Sequence, residues 1–236
     1  MTTVGQPVPR IDAYDKVTGR AAYVGDLEIP GMVHGLILRS PWPHARVLSI
    51  DASEAEGLPG VLGVLTRDHL GGIDPYFGSV VRDRPIVAMD KVRYQGEPVA
   101  AVAARDLATA QEALELIRIE YEELPLVSDT EGALVPGSPA LHETNLCAEH
   151  HYYWGDVEEG FAQSDRVFED TFTFPMVYHY ALEPHTSIGQ YTNQGITVWS
   201  TAQHPFLVRG DLARMFGFSL HQVRIIVPYL GGGFGS

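Results

Sequence analysis

The chain has 236 residues, 45% of them hydrophobic and 19% charged; this is the composition of a globular protein with a real core, and it excludes disordered, collagen-like and coiled-coil chains. Thirty acidic against 16 basic side chains give a formal net charge of -14, a field that repels phosphate backbones and sets nucleic acid aside as a partner. The single cysteine, Cys147, leaves no internal disulfide, and the longest apolar runs, such as Pro98 to Ala104, fall far short of the roughly 20 residues a membrane helix needs.

The opening residues, Met1 to Asp15, are polar and carry Pro7 and Pro9. That pattern is unlike a signal peptide, so none is expected and a cytoplasmic chain is, with residues 1–16 as an extended lead-in lying on another surface. Short apolar runs follow at Met32–Arg39, Arg46–Asp51 and Val61–Thr66, and they predict strands. The Ala/Glu-rich stretch from Asp51 to Gly57 predicts one or two helical turns. Pro98–Ala104 reads as a buried strand. Asp106 then caps a helix whose Leu107, Ala110, Leu114 and Ile117 share one face, and Arg118–Glu122 alternates as a returning strand. Residues 17–126 are therefore expected to form a first α+β domain, with the helix packed on a sheet.

Residues 127–150, with Pro136, Gly137 and Pro139 and no period, read as a linker, and a second domain is expected over 151–236. There Val167–Phe174 alternates, with Phe168, Phe172 and Phe174 on one side, and predicts a strand packed against something large. Thr186–Tyr191 and Ile196–Ser200 predict a hairpin about Asn193-Gln194-Gly195. Phe206–Phe216 predicts a helix with Val208, Leu212 and Met215 inward, and Val223–Val227 predicts a buried strand.

The chemistry-bearing residues are concentrated near the end. The stretch VRIIVPYLGGGFGS runs from a buried strand into Gly231, Gly232, Gly233, Phe234 and Gly235. Glycines there remove Cβ atoms, permit positive φ and let N–H groups converge on an anion or bulky cofactor. No lysine follows as in a phosphate-binding Walker loop, and Ser236 stands where a dinucleotide fingerprint has its third glycine. On these residues alone the stretch is a cofactor loop or a flexible tail. Gln203, at a strand-to-helix turn, offers two N–H donors or is a capping residue. Glu183 is a candidate acid/base group or a structural carboxylate. His142, His150, His151, His179, His185 and His204, with Cys147, lack metal-ligand spacing, so no metal ligand is assigned.

The segments DAYDKVTGRAAYVGDL (12–27), GLILRSPWPHARVLSIDAS (35–53), YQGEPVAAVAA (94–104), ALEPHTSIGQY (181–191), STAQHPFLVRGDLA (200–213) and VPYLGGGFGS (227–236), in this order, resemble the molybdenum hydroxylase family. That family includes xanthine dehydrogenase, aldehyde oxidoreductase and aerobic carbon monoxide dehydrogenase. The likeness is to the N-terminal part of the molybdopterin-binding large subunit. It implies an α/β hammerhead domain followed by the beginning of a mixed α/β molybdenum-binding domain. It also implies that Gln203 hydrogen-bonds the apical oxo ligand of molybdenum and that Gly232, Gly233, Phe234 and Gly235 lie against the pterin.

The implied reaction is oxidation of an aldehyde, purine or N-heterocycle with water as oxygen source. The implied cofactor is molybdopterin with molybdenum, the cytosine dinucleotide being one form. 2Fe-2S clusters and FAD are expected on partner subunits, and the catalytic glutamate base in the remainder of the large subunit. The chain is thus expected to be inactive alone. A non-catalytic docking module derived from the same family is the other reading.

Overall fold

The computed structural model describes residues 4–78 and 81–235, and Ser236 lies outside them. The lead-in is not wholly extended, because Ala13–Val17 forms a helical turn, α1. The first unit then runs β1 (His34–Arg39), β2 (Ala45–Asp51), α2 (Ser53–Gly57), β3 (Val61–Leu65), β4 (Tyr76–Phe77), β5 (Arg84–Pro85), β6 (Lys91–Val92), β7 (Pro98–Ala104), α3 (Leu107–Leu116) and β8 (Arg118–Glu123). These strands make two three-stranded antiparallel sheets, ordered β1-β7-β3 and β6-β2-β8, and the small pair β4-β5.

Alternation along β7 places consecutive residues in different cores. Ala100, Val102 and Ala104 pack with Ala110 and Ala113 of α3, whereas Val99 packs with Ala45, Val47, Ala88 and Val92. Small side chains on both faces let α3 lie close against the sheet. Ile50 and Ile119, register partners in β2 and β8, touch both clusters and join them. Leu107, by contrast, is turned outward, and Ala113 takes the inward place that the sequence pattern assigns to it. Asp106 caps α3 by accepting the Thr109 N–H at 2.8 Å, and this hydrogen bond lowers its pKa.

Glu97, buried to 2% exposure, accepts the Arg93 N–H and lies 3.7 Å from the Arg93 guanidinium. Burial outweighs both contacts and raises its pKa from the ordinary 4.5. The fold therefore keeps this proton where the unfolded chain has lost it. The resulting contribution to stability is full below about pH 4.5 and is lost as pH rises through the folded value. Glu97→Gln should remove this part of the pH dependence. Thermal unfolding of the two proteins across pH 4.5 to 7 checks it, and identical pH profiles would show that Glu97 does not titrate in this way.

Residues 127–150 are not a free linker. They contain α4 (Thr130–Leu134), capped by Asp129, and are fastened by Asn145, which donates to the Ala133 and Pro139 carbonyls, and by Lys91, which donates to Ala140. α5 (Val157–Gln163) follows, capped by Asp156. Val167–Phe174 forms no strand, and its phenylalanines are not packed: Phe168, Phe172 and Phe174 are 82%, 86% and 87% exposed. The alternation is present in the sequence, but among the described residues no strand lies alongside to hydrogen-bond the backbone and cover one face.

The second unit consists of β9 (Ser187–Thr192), β10 (Gly195–Ser200), α6 (Pro205–Met215) and β11 (Val223–Ile226). β9 and β10 form the expected hairpin, and β10 pairs in parallel with β11 through the α6 crossover, giving the order β11-β10-β9. Of the helix residues expected inward, Met215 is buried and Val208 and Leu212 are half-buried, with Ala213 completing the face. Several contacts tie this unit to the rest of the chain, among them the Asp74 N–H donating to the Met215 carbonyl. Arg214 of α6 reaches Asp74 and the Tyr76 carbonyl, and α1 lies against the chain leaving β11.

Candidate cofactor site

Register fixes where the functional residues meet. Because β10 and β11 are parallel, their outgoing loops leave the same edge of the sheet. β9 is antiparallel, so its incoming segment arrives there too, with Ser187 opposite Ser200 and Trp199 opposite Ile226. Three loops therefore converge: Ala181–Thr186 entering β9, Thr201–His204 leaving β10, and Val227–Gly235 leaving β11. Crevices beyond the carboxyl ends of parallel strands are where open α/β sheets bind ligands.

The glycine loop closes onto two of the candidate side chains. A Cβ on Gly233 would fall against the Gln203 carboxamide, 2.9 Å from Cδ and 3.0 Å from Cβ. A Cβ on Gly232 would meet the Phe234 ring at 2.7 Å and Ala181 at 3.1 Å, and one on Gly231 would meet Glu183. φ is positive at Gly232 (134°), Phe234 (51°) and Gly235 (97°). Gly233 has no positive φ. The positive φ that a glycine permits is not used there, and the close approach to Gln203 is what requires glycine.

Among the described residues, Phe234 and Tyr180 (φ 47°) are the non-glycine residues with positive φ, and both stand at this edge. Each costs about 1–2 kcal/mol relative to ordinary backbone, and strain of this kind gathers at ligand sites.

Polar groups behind the loop complete the picture. Glu183 accepts the Gly231 N–H through Oε2 at 2.7 Å, while its Oε1 is buried without a partner. His179 has a buried, unpartnered Nε2, and its ring lies 5.9 Å from that of Phe234. His185 and His204 lie in the converging loops themselves, whereas three other candidates are placed elsewhere. His142 pairs with Asp83, His151 with Glu149, and Cys147 is exposed beside His142 in a separate groove of about 910 Å³. Among the described residues no three His, Cys, Asp or Glu side chains gather to hold a metal ion. Asp15, Lys16 and Tyr229 also reach this region, although no local pattern in the sequence marks them. Tyr229 donates to Asp15 at 2.9 Å, a bond that raises the phenol pKa, and Lys16 donates to the Leu230 carbonyl at 3.3 Å.

Comparison with known proteins matches residues 18–125 to the a/b hammerhead domain of aldehyde oxidase and xanthine dehydrogenase, and residues 141–236 to the molybdopterin cofactor-binding domain. The chain belongs to the aldehyde oxidase and xanthine dehydrogenase family. It is 40% identical over 229 residues to a probable xanthine dehydrogenase component of Bacillus subtilis, with 96% of this chain and 31% of that protein aligned. It is 39% identical to the nicotinate dehydrogenase large molybdopterin subunit of Eubacterium barkeri, over 99% of this chain and 55% of that subunit. The crystal structure of the Cu,Mo-CO dehydrogenase in its carbon monoxide reduced state superposes with a TM-score of 0.85 at 33% identity, covering 98% of this chain and 32% of that one. The chain thus spans about a third to a half of these relatives.

The arrangement in this member of the aldehyde oxidase and xanthine dehydrogenase family fits a large cofactor of the molybdopterin kind. The loop backbone is bare over Gly231–Gly233, a carboxamide lies beside it, and two buried polar atoms, Glu183 Oε1 and His179 Nε2, await partners. Gln203, Gly232, Gly233, Phe234 and Gly235 are all at the one edge.

Proposed function

We propose that this chain is part of the molybdopterin-binding subunit of a molybdenum-dependent hydroxylase or dehydrogenase that oxidises an aldehyde, purine or N-heterocycle with water as oxygen source. Residues 17–126 serve as the hammerhead domain, 127–150 as the link and 151–236 as the first part of the cofactor domain, with 1–16 leading in. The observation that carries this reading is the packing of Gly233 on Gln203 at the outgoing edge of the parallel pair. A docking module would have no need of a bare backbone held against a carboxamide.

When bound, the molybdenum cofactor supplies two-electron oxidation of the substrate carbon. The chain's residues hold and orient it. Gln203 offers amide N–H donors, the glycine loop brings backbone N–H groups close, and α6, starting at Pro205, aims its positive end at the same edge. Partner subunits with 2Fe-2S clusters and FAD would supply the electron-accepting groups, and the remainder of the large subunit would cover the apolar strip around Phe172 and Phe174 and bring the base. The assembly works in the cytoplasm, and the chain does not turn over alone.

Gln203→Ala in the assembled enzyme removes a polar contact of roughly 1.5–3 kcal/mol. Turnover per bound molybdenum should fall about 10- to 100-fold while the fold stays intact. Unchanged turnover at full molybdenum occupancy would contradict the role given to Gln203.

A further inference from the structure

The peptide unit joining Leu230 to Gly231 is held at both ends by side chains of opposite charge. Its carbonyl oxygen accepts from the Lys16 ammonium at 3.3 Å, and its N–H donates to the Glu183 carboxylate at 2.7 Å. A peptide dipole is negative at oxygen and positive at N–H, so both contacts favour one orientation of the plane and oppose its flip. Everything beyond this unit, Gly232 to Gly235, takes its direction from it.

The two partners come from distant parts of the chain, 214 and 48 residues away. Lys16 sits on α1, where Asp12 pairs with it at 2.9 Å and neighbouring Asp15 holds Tyr229. The Lys16 and Arg10 contacts hold the Asp12 pKa down at about 2, so this acid stays ionised at any ordinary pH. Glu183 sits beneath the loop, its Cβ so near Gly231 that a side chain there could not be accommodated.

We propose that Lys16 and Glu183 are positioning residues that clamp the 230–231 peptide and so set the course of the cofactor loop; this rests on the function proposed above. Neither needs to touch the cofactor, and the lead-in segment thereby becomes a working part of the site.

Amide exchange tests the clamp in the full chain without any cofactor. In Glu183→Ala and in Lys16→Met, exchange at the Gly231 amide should accelerate about tenfold, the loss of one charge-assisted hydrogen bond, while the amides of β7 keep their protection. Glu183→Gln retains an acceptor oxygen and should restore exchange to within about twofold of native. Unchanged exchange at Gly231 in Lys16→Met, which is partly exposed and should fold normally, together with an equally unchanged Glu183→Ala, would overturn the clamp whatever the cofactor is. Molybdenum content of the assembled enzyme supplies the second arm. Loss of metal in Glu183→Ala with recovery in Glu183→Gln is the expected result. A loosened loop with native metal content would overturn the positioning role, and Gly233→Val would still test the cofactor reading separately.

Discussion

Gly195→Ala should unfold the second unit or bring it close to unfolding. Gly195 opens β10 at φ 140°, and a Cβ there would lie on the backbone of Gln222, 2.8 Å from its carbonyl carbon and 2.9 Å from its Cα. The obstacle is main chain, so no side chain can swing aside. Backbone strain of about 1–3 kcal/mol adds to an overpacking cost of similar size, and the strands displaced are those whose ends carry both Gln203 and the glycine loop. Gly217, with φ 68° and nothing within 4 Å of its Cβ position, is the matched control: Gly217→Ala should cost only about 1 kcal/mol. Thermal unfolding of the two variants separates close approach from φ preference. A melting temperature for Gly195→Ala equal to that of Gly217→Ala would show that the crossover does not depend on this contact.

The sequence makes most of the first unit legible because local signals and tertiary packing agree there. Pro98–Ala104 is apolar throughout and proves buried or half-buried along its whole length, and Asp106 both marks and caps α3. The Val167–Phe174 stretch shows the limit of such a reading. Alternating phenylalanines state what the segment requires of a neighbour, and a strand forms only when that neighbour's backbone is alongside. Residues 127–150 lack a period, yet Asn145 and Asp129 pin them by hydrogen bonds that no periodicity reports.

Candidate site residues divide in the same way. From the residues alone Gln203 and the glycines keep ordinary readings as a cap and a tail, and the family resemblance supplies their roles. Glu183 is visible as a carboxylate before proline, but its task becomes evident only when Gly231 is seen against it. Lys16 carries no local signal, since its contact spans nearly the whole chain. The reason for glycine at position 233 also changes. With no positive φ, this residue is glycine for want of space beside Gln203, a fact that belongs to packing and not to backbone preference.

That distinction sharpens the test of the central claim, that the Gln203 edge and the glycine loop together cradle the molybdenum cofactor. Gly233→Val demands no positive φ and places new atoms where the Gln203 carboxamide and the loop meet. The resulting overpacking, about 1–3 kcal/mol, must push aside Gln203, the loop or both, whereas β7 and α3 lie in the other unit with cores of their own. Elemental analysis of molybdenum per assembled enzyme, with the far-UV signal of the same preparation, is the most direct measurement. The cradle predicts molybdenum below about a tenth of the native content, equivalent to at least about 1.4 kcal/mol of lost binding, with secondary structure unchanged. Native molybdenum content in folded Gly233→Val enzyme would contradict it.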